Sequence, residues 1–285
     1  MVLACARKAL AGWFVMRTQT IDGLMVESEG DGSEHVLLLV HGAVTFQGCR
    51  PLLSQRLLTD RCRVVHYYRR GYLQSSAPPN GFTVADQAAD ARRVLEGLNV
   101  TRAHVLGHSI GALIAMQFAL DAPEFVRSLV LVEPTWASRP EILAAFQSAL
   151  GPVVDAYTSG DRQTAAHLML RMIEGGEYHQ TFDGVFGPGW LKAVASALDL
   201  YFQVELPAAV SWTLDVQRAR RITQPALVIK GSDTLDLFGM VYEDALSLLP
   251  AARGAVLPAA THNVIASNPQ LAATLIADFM SCVRS

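Results

Sequence analysis

Charge is scarce in this chain. Only 17% of its 285 residues are Asp, Glu, Lys or Arg, against about 25% in an ordinary soluble domain. Lysine nearly vanishes: Lys8, Lys192 and Lys230 are all there is, and the other 20 of the 23 basic residues are arginine, scattered along the chain. With a net charge of −3 and no basic stripe, a nucleic-acid partner is excluded. Cysteine is sparse too. Cys5, Cys49, Cys62 and Cys282 form no C-x-x-C pair, which argues against a zinc site or a disulfide scaffold and sets the expectation of a reducing, cytoplasmic compartment. A Gly-rich phosphate loop, a dinucleotide fingerprint and a metal-ligand cluster are all missing, so neither cofactor nor metal is expected. The longest clear apolar helix pattern, Ile110 to Leu120, falls short of the ~20 residues a membrane span needs. Residues 1–16 place Arg7 and Lys8 before a short apolar stretch ending in Trp13-Phe14-Val15-Met16. They lack the longer apolar region and small-residue cleavage site of a signal peptide, and are expected to be an N-terminal extension with a natural start at Met16.

Apolar side chains, by contrast, make up 51% of the chain, and the mean hydropathy is +0.26. That excludes a disordered chain, because burial can offset the entropy of ordering. The apolar residues come in short unbroken runs: Val36–Val40, Arg63–Tyr68, Ala103–Leu106, Ser128–Val132, Ala226–Ile229 and Gly254–Leu257. Strands without alternation are what a parallel sheet covered on both faces requires. Helical patterns lie between them at Thr83–Leu98, Ile110–Leu120 and from Asn268-Pro269 to Val283, so the order predicts a doubly wound, mostly parallel α/β sheet. The alternation breaks once. From Thr135 to Ile222 the patterns are helical: one opened by Pro140, one over Asp161–Ile173 and one over Trp190–Phe202, with a turn at Gly187-Pro188-Gly189. The expected organisation is a core of 17–134 and 223–285 with an all-helical cap of 135–222.

Chemistry concentrates where the Ala103–Leu106 strand runs into Gly107-His108-Ser109-Ile110-Gly111 and then a helix. G-x-S-x-G in a strand–turn–helix context lifts the serine hydroxyl above the sheet and aims the helix N-terminus at the reacting centre. The two glycines stand where a side chain would strike neighbouring backbone.

Together with His41-Gly42-Ala43, Tyr68-Arg69-Arg70-Gly71-Tyr72, the Pro225–Asp233 stretch and Thr261-His262, this elbow resembles the α/β-hydrolase family over nearly the whole chain. The resemblance implies a nucleophile, acid and histidine in chain order, a helical cap, and hydrolysis of an ester, amide or lactone. Ser109 is then the nucleophile and His262 the base. The backbone N–H groups of Ile110 and Ala43 form the oxyanion hole, with Val44 as an alternative to Ala43. For the acid three carboxylates stand open. The family places Asp three positions after the Gly that ends the seventh strand, and here that position is Thr234. Asp233 comes one residue early and is the first candidate; Glu133, at the end of the sixth strand, is the second; Asp236 is the third.

Ten of the chain's 22 aromatics fall in 135–222. Trp136, Trp190 and Phe202 are the candidates for lining an apolar pocket, and the rest bind the cap to the sheet. The expected activity is cleavage of a small to medium apolar carboxylic ester or lactone through an acyl-enzyme on Ser109. The alternatives are a triad enzyme of other chemistry (a C–C bond hydrolase, a lyase or a cofactor-free haloperoxidase-like enzyme) and a ligand-binding sensor on the same fold.

Overall fold

The computed structural model describes residues 16–30, 35–176 and 178–283, so the reading of 1–16 as an extension lies, apart from Met16, outside the described residues. Among these, eight strands form one sheet: β1 (Arg17–Ile21), β2 (Leu24–Glu29), β3 (Val36–Val40), β4 (Arg63–Tyr67), β5 (Ala103–His108), β6 (Val126–Val132), β7 (Ala226–Gly231) and β8 (Ala252–Leu257). Their order is β1-β2-β4-β3-β5-β6-β7-β8, and every pairing from β4 onward is parallel. The six runs read from the sequence are β3 to β8. The β1–β2 hairpin was missed because β1 is exposed along most of its length and carries no apolar run. Its turn, Asp22-Gly23 with both φ positive, is the two-residue signal that marks such a hairpin.

The period of two within each parallel strand sorts its side chains to opposite faces. Val36, Leu38 and Val40 of β3 enter one core with Val105, Leu129 and Val228, whereas Leu37 and Leu39 enter the other with Leu106, Val130 and Ile229. Helices cover both. A short α1 (Arg56–Thr59) precedes β4. Next come α2 (Val84–Gly97), opened by a Thr83–Asp86 capping box, and α3 (Ile110–Asp121), whose apolar residues are buried all round.

Between β6 and β7 the described residues hold no strand. The insertion consists of α4 (Pro140–Thr158), α5 (Arg162–Glu174), α6 (Tyr178–Phe186), α7 (Trp190–Leu200), a π-turn at Tyr201–Glu205, α8 (Leu206–Ser211) and α9 (Val216–Ala219). Asp161 caps α5 by accepting from the Thr164 N–H at 2.9 Å. The helix expected to stop at Phe202 does not stop. Pro207 lacks an N–H and crowds the carbonyl four residues back, that of Gln203. The π-turn that contains Gln203 widens the ladder there and lets the helix continue. The resulting Trp190–Ser211 run is 22 residues long, with an 18-residue window of mean hydropathy 1.2. Among the described residues it, rather than the stretch at Ile110, is the helix long and apolar enough by length and composition to cross a bilayer. Here it packs within the insertion, whose apolar core takes in Val44, Phe46, Tyr68, Tyr72 and Phe238 from the sheet side. The chain closes with α10 (Asp236–Leu248), which the sequence reading did not anticipate, then α11 (Val264–Ser267) and α12 (Pro269–Ser281).

Candidate active site

Parallel register brings the carboxyl ends of β3, β5, β6 and β7 to one edge: Val40 lies beside Gly107, His108 beside Val132, and Val132 beside Ile229. Ligands of open α/β sheets bind at this edge. Ser109 leaves β5 at φ 56, ψ −124, outside the regions open to ordinary L-residues, and its N–H still donates to Val132 O at 2.9 Å. The strain leaves Ser109 partly exposed between buried neighbours. It also requires glycine nearby. A Cβ on Gly111 would strike the Val40 and His41 carbonyls, and one on Gly42 would come within 3.1 Å of Ser109 Cβ. The loop after β3 therefore lies against the elbow.

His262 follows β8 and is buried. Its ring stacks on Phe238 of α10 at 4.1 Å and sits 5.1 Å from the His108 ring. His108 Nε2–H donates to the His262 carbonyl at 2.9 Å, so the residue preceding the serine is tied to the histidine's own backbone. Among the described residues no hydrogen bond joins Ser109 Oγ to His262. On the other side of the ring, Nδ1–H donates to Glu133 Oε2 at 3.2 Å. Glu133 is fully buried just past β6, at φ 48, with its N–H donating to Ile229 O at 2.8 Å. Oε1 accepts from the Gly231 N–H at 2.6 Å and Oε2 from Thr234 Oγ1 at 2.8 Å. Burial pushes the Glu133 carboxyl up to about 7, with those two donors pulling it back. Burial also pushes the His262 imidazole down to about 3, so its ring is uncharged at neutral pH.

The first-ranked acid, Asp233, is not the carboxylate beside His262. It is exposed and accepts from Ser232 Oγ at 2.7 Å, and its N–H is spent on Ala260 O. The one-residue offset from the family position directs its side chain elsewhere. Asp236 is exposed in the first turn of α10. Of the three pocket candidates, Trp190 lines a cavity of about 140 Å³ between the β3 loop (Val44, Phe46) and the insertion (Phe186, Pro188). Trp136 is buried in the sheet–helix core and donates to Asp244 at 2.9 Å, and Phe202 stacks on Tyr157 at 4.1 Å.

Ala43 sits at the elbow end of the β3 loop, and Ile110 opens α3. Val44, at φ 32, packs with Tyr72 in the apolar core under the insertion. The loop is held from behind by Arg69, part of the Tyr68-Arg69-Arg70-Gly71-Tyr72 stretch. Its Nε and Nη2 donate to the His41 and Gly42 carbonyls at 3.2 and 3.0 Å, and Nη1 donates to Gln87 at 2.6 Å. Arg69 also pairs with Glu205 of the π-turn, which in turn accepts from the Tyr72 hydroxyl at 2.7 Å. Both members of the pair are buried.

The site has a stability signature. Burial holds His66 and His104 down to about 4, His108 and His262 to about 3, and His41 well below its ordinary range. Unfolded, these imidazoles protonate near 6.5. Between those values the unfolded chain binds more protons, so stability rises with pH. Glu133 and Glu174, both raised by burial to about 7, act in the opposite sense between about 4.5 and 7. Five groups oppose two, and the melting temperature is expected to climb from pH 4.5 to pH 6.5. A flat or falling thermal-shift profile over that window would contradict this reading of the buried histidines.

A family model described as the alpha/beta hydrolase fold matches residues 35–269. The 2-(acetamidomethylene)succinate hydrolase of Mesorhizobium japonicum is 24% identical over 277 residues, 94% of this chain and 95% of its own. A Caulobacter segnis protein named for carbamate hydrolysis, RutD, is 33% identical over 142 residues; the match takes in 47% of this chain and 52% of that protein, about half its length. The crystal structure of the enol-lactonase from Burkholderia xenovorans LB400 superposes with a TM-score of 0.76 at 20% identity, covering 93% of this chain and 100% of that one. With the sheet order and the serine elbow already in place, the match over 35–269 means that this chain belongs to the α/β-hydrolase fold family.

Proposed function

We propose that this chain is a serine hydrolase that cleaves a small to medium, uncharged, apolar carboxylic ester or lactone. The observation that carries the reading is the buried Glu133–His262 pair at 3.2 Å, set beside a serine held at φ 56 on a G-x-S-x-G turn. Glu133 fixes the tautomer in which Nδ1 carries the proton and leaves Nε2 free to accept. Ser109 Oγ attacks the carbonyl carbon as its proton passes to Nε2. The N–H groups of Ala43 and Ile110 receive the oxyanion, and the alkoxide leaves with the proton from His262. Water then repeats the sequence on the acyl-enzyme. Serine–histidine bonds are commonly long or misaligned without substrate, which accommodates the absence of that bond here.

The insertion serves as a cap over this edge. The cavity that Trp190 lines beside the β3 loop does not take in Ser109 or His262 themselves, but it adjoins the loop carrying Ala43. Its lining has no charged side chain, which supports a small uncharged group rather than the dicarboxylate named for the Mesorhizobium relative. The test is covalent: a fluorophosphonate should add one phosphonyl mass to the wild type and none to Ser109→Ala. A p-nitrophenyl ester series from acetate to decanoate should peak among the short acyl chains. An unlabelled wild type would leave the sensor reading standing, and a peak at decanoate would refute the small-substrate assignment.

A further inference from the structure

The loop that carries His262 is gripped from two directions. Glu133 holds the ring, and a second buried carboxylate, Glu174, holds the residues on either side of it. Glu174 is the last residue of α5, in the insertion, and is 6% exposed. Its Oε1 accepts from the Asn263 backbone N–H at 2.9 Å and from Asn263 Nδ2, and its Oε2 accepts from Thr261 Oγ1. The His262 N–H itself donates to the carbonyl of Ile173, the residue before Glu174, at 3.2 Å. Thr261, His262 and Asn263 are thus all fastened to one helix end of the insertion.

Asn263 carries the connection further. Its Nδ2 faces Glu174, while its Oδ1 accepts from Thr45 Oγ1 at 3.1 Å. Thr45 in turn donates its N–H to the Ala43 carbonyl, setting the peptide next to the oxyanion donor. One carboxylate of the insertion therefore reaches both the base loop and, through a single amide, the oxyanion loop. Burying a carboxylate at a helix–loop contact is costly, and an apolar side chain would pack there at lower cost. What an apolar side chain lacks is acceptors for three donors converging from residues 261 and 263.

We propose that Glu174 is a positioning residue: it holds the His262 loop and, through Asn263, the oxyanion loop in register, so that catalysis depends on the insertion being seated on the sheet. The proposal rests on the assignment of Ser109 and His262 above. A residue serving fold stability alone would lower the melting temperature and leave the chemistry of each folded molecule unchanged. A positioning residue would slow the chemistry with KM nearly constant, because displacements of about 1 Å in a catalytic array cost up to ~10²-fold in rate.

The experiment measures the rate constant of fluorophosphonate labelling and kcat and KM on an ester, with hydrogen exchange of segments 41–48 and 259–265 followed in parallel. Glu174→Ala is expected to slow labelling and lower kcat at least ~10-fold, with KM within about twofold, and to raise exchange in both segments. Glu174→Gln keeps an acceptor for Asn263 and a group able to pair with the Thr261 hydroxyl, and should restore near-normal rates. Asn263→Ala, which keeps the residue-263 N–H and Thr261 contacts to Glu174 but cuts the link to Thr45, should reproduce the part of the loss that runs through the oxyanion loop, and the double variant should lose no more than Glu174→Ala alone. Normal labelling in Glu174→Ala, additive losses, or increased exchange confined to 259–265 would each overturn the proposal. The exchange arm decides it even if the wild type is not labelled, an outcome that would refute the serine assignment instead.

Discussion

Replacing Glu133 with glutamine is expected to lower kcat/KM by ~10³–10⁴-fold, the scale of losing the acid of a serine–histidine array. The chemistry of the pocket explains why so small a change is not tolerated. Glu133 presents acceptors in two directions, Oε1 to the Gly231 N–H and Oε2 to His262 Nδ1 and Thr234 Oγ1. A glutamine has one acceptor. If its oxygen meets Gly231, its NH₂ faces Nδ1, which must then accept, and the proton moves to Nε2, where the attacking serine needs a lone pair. If the amide is flipped, NH₂ opposes the Gly231 N–H in a buried space. Asp233→Asn removes an exposed carboxylate that bonds only its neighbour Ser232 through the side chain, and should leave kcat/KM within about twofold, as exposed substitutions do. Steady-state kinetics of the two variants decides the matter. A larger loss for Asp233→Asn would return the acid role to that residue.

The same pair sets a pH profile. The active form has Glu133 ionised and His262 neutral, and one added proton anywhere on the pair disables it. With the Glu133 carboxyl raised to about 7 by burial, kcat/KM should be full above that pH and fall as pH drops through about 7. In Glu133→Gln the remaining activity should lose this limb.

How much of this was legible in the sequence depends on the range over which each signal acts. β3 to β7 were readable because both faces of each are buried and the pattern is local; β8, an edge strand exposed along much of its length, was readable only from its short run Gly254–Leu257. The elbow at Ser109 and the position of His262 after the last strand were readable because both have local signatures. Which carboxylate faces His262 was not, and the reason is instructive. The sequence showed Thr234 where the family places Asp, and this looked like a defect with Asp233 as the nearest repair. The structure gives Thr234 a task that makes sense only once Glu133 is in place: its hydroxyl donates to Glu133 Oε2. Glu133 and Thr234 lie 101 residues apart, so neither alone announces the exchange. Glu174, Glu205 and Asn263 were silent, and Arg69 showed only as part of a loop motif with no partner, because each acts through a tertiary pair that no period or motif records. A faint sign did exist for Glu205. Pro207, two residues on, sits inside a helical pattern that ought to have broken there, and the π-turn that saves the helix is the turn that carries the carboxylate.

That carboxylate gives the second large effect. Glu205→Leu leaves the Arg69 guanidinium, 2% exposed, without its counter-charge. Breaking a buried pair from one side costs ~3–5 kcal/mol, which for a chain of this size lowers the melting temperature by about 10 °C. A wild-type melting temperature in this variant would show that the pair contributes nothing to the fold. Removing both charges is a different experiment. In Arg69→Met/Glu205→Leu no charge is stranded, and exchanging a buried pair for apolar groups is often neutral or stabilising, so most of the lost stability should return. Activity should not return with it. Arg69 also donates to the His41 and Gly42 carbonyls, and methionine cannot. The backbone leading into Ala43 then keeps the His41 ring contacts and the Thr45 side but loses the guanidinium that ties its two carbonyls to the loop after β4, and kcat should remain ~10–100-fold down, the cost of a misplaced catalytic group. If the double variant recovers stability and rate together, Arg69 serves the fold alone. If stability returns without rate, the arginine connects the insertion's π-turn to the oxyanion loop, as the Glu174–Asn263 contact connects α5 to the histidine.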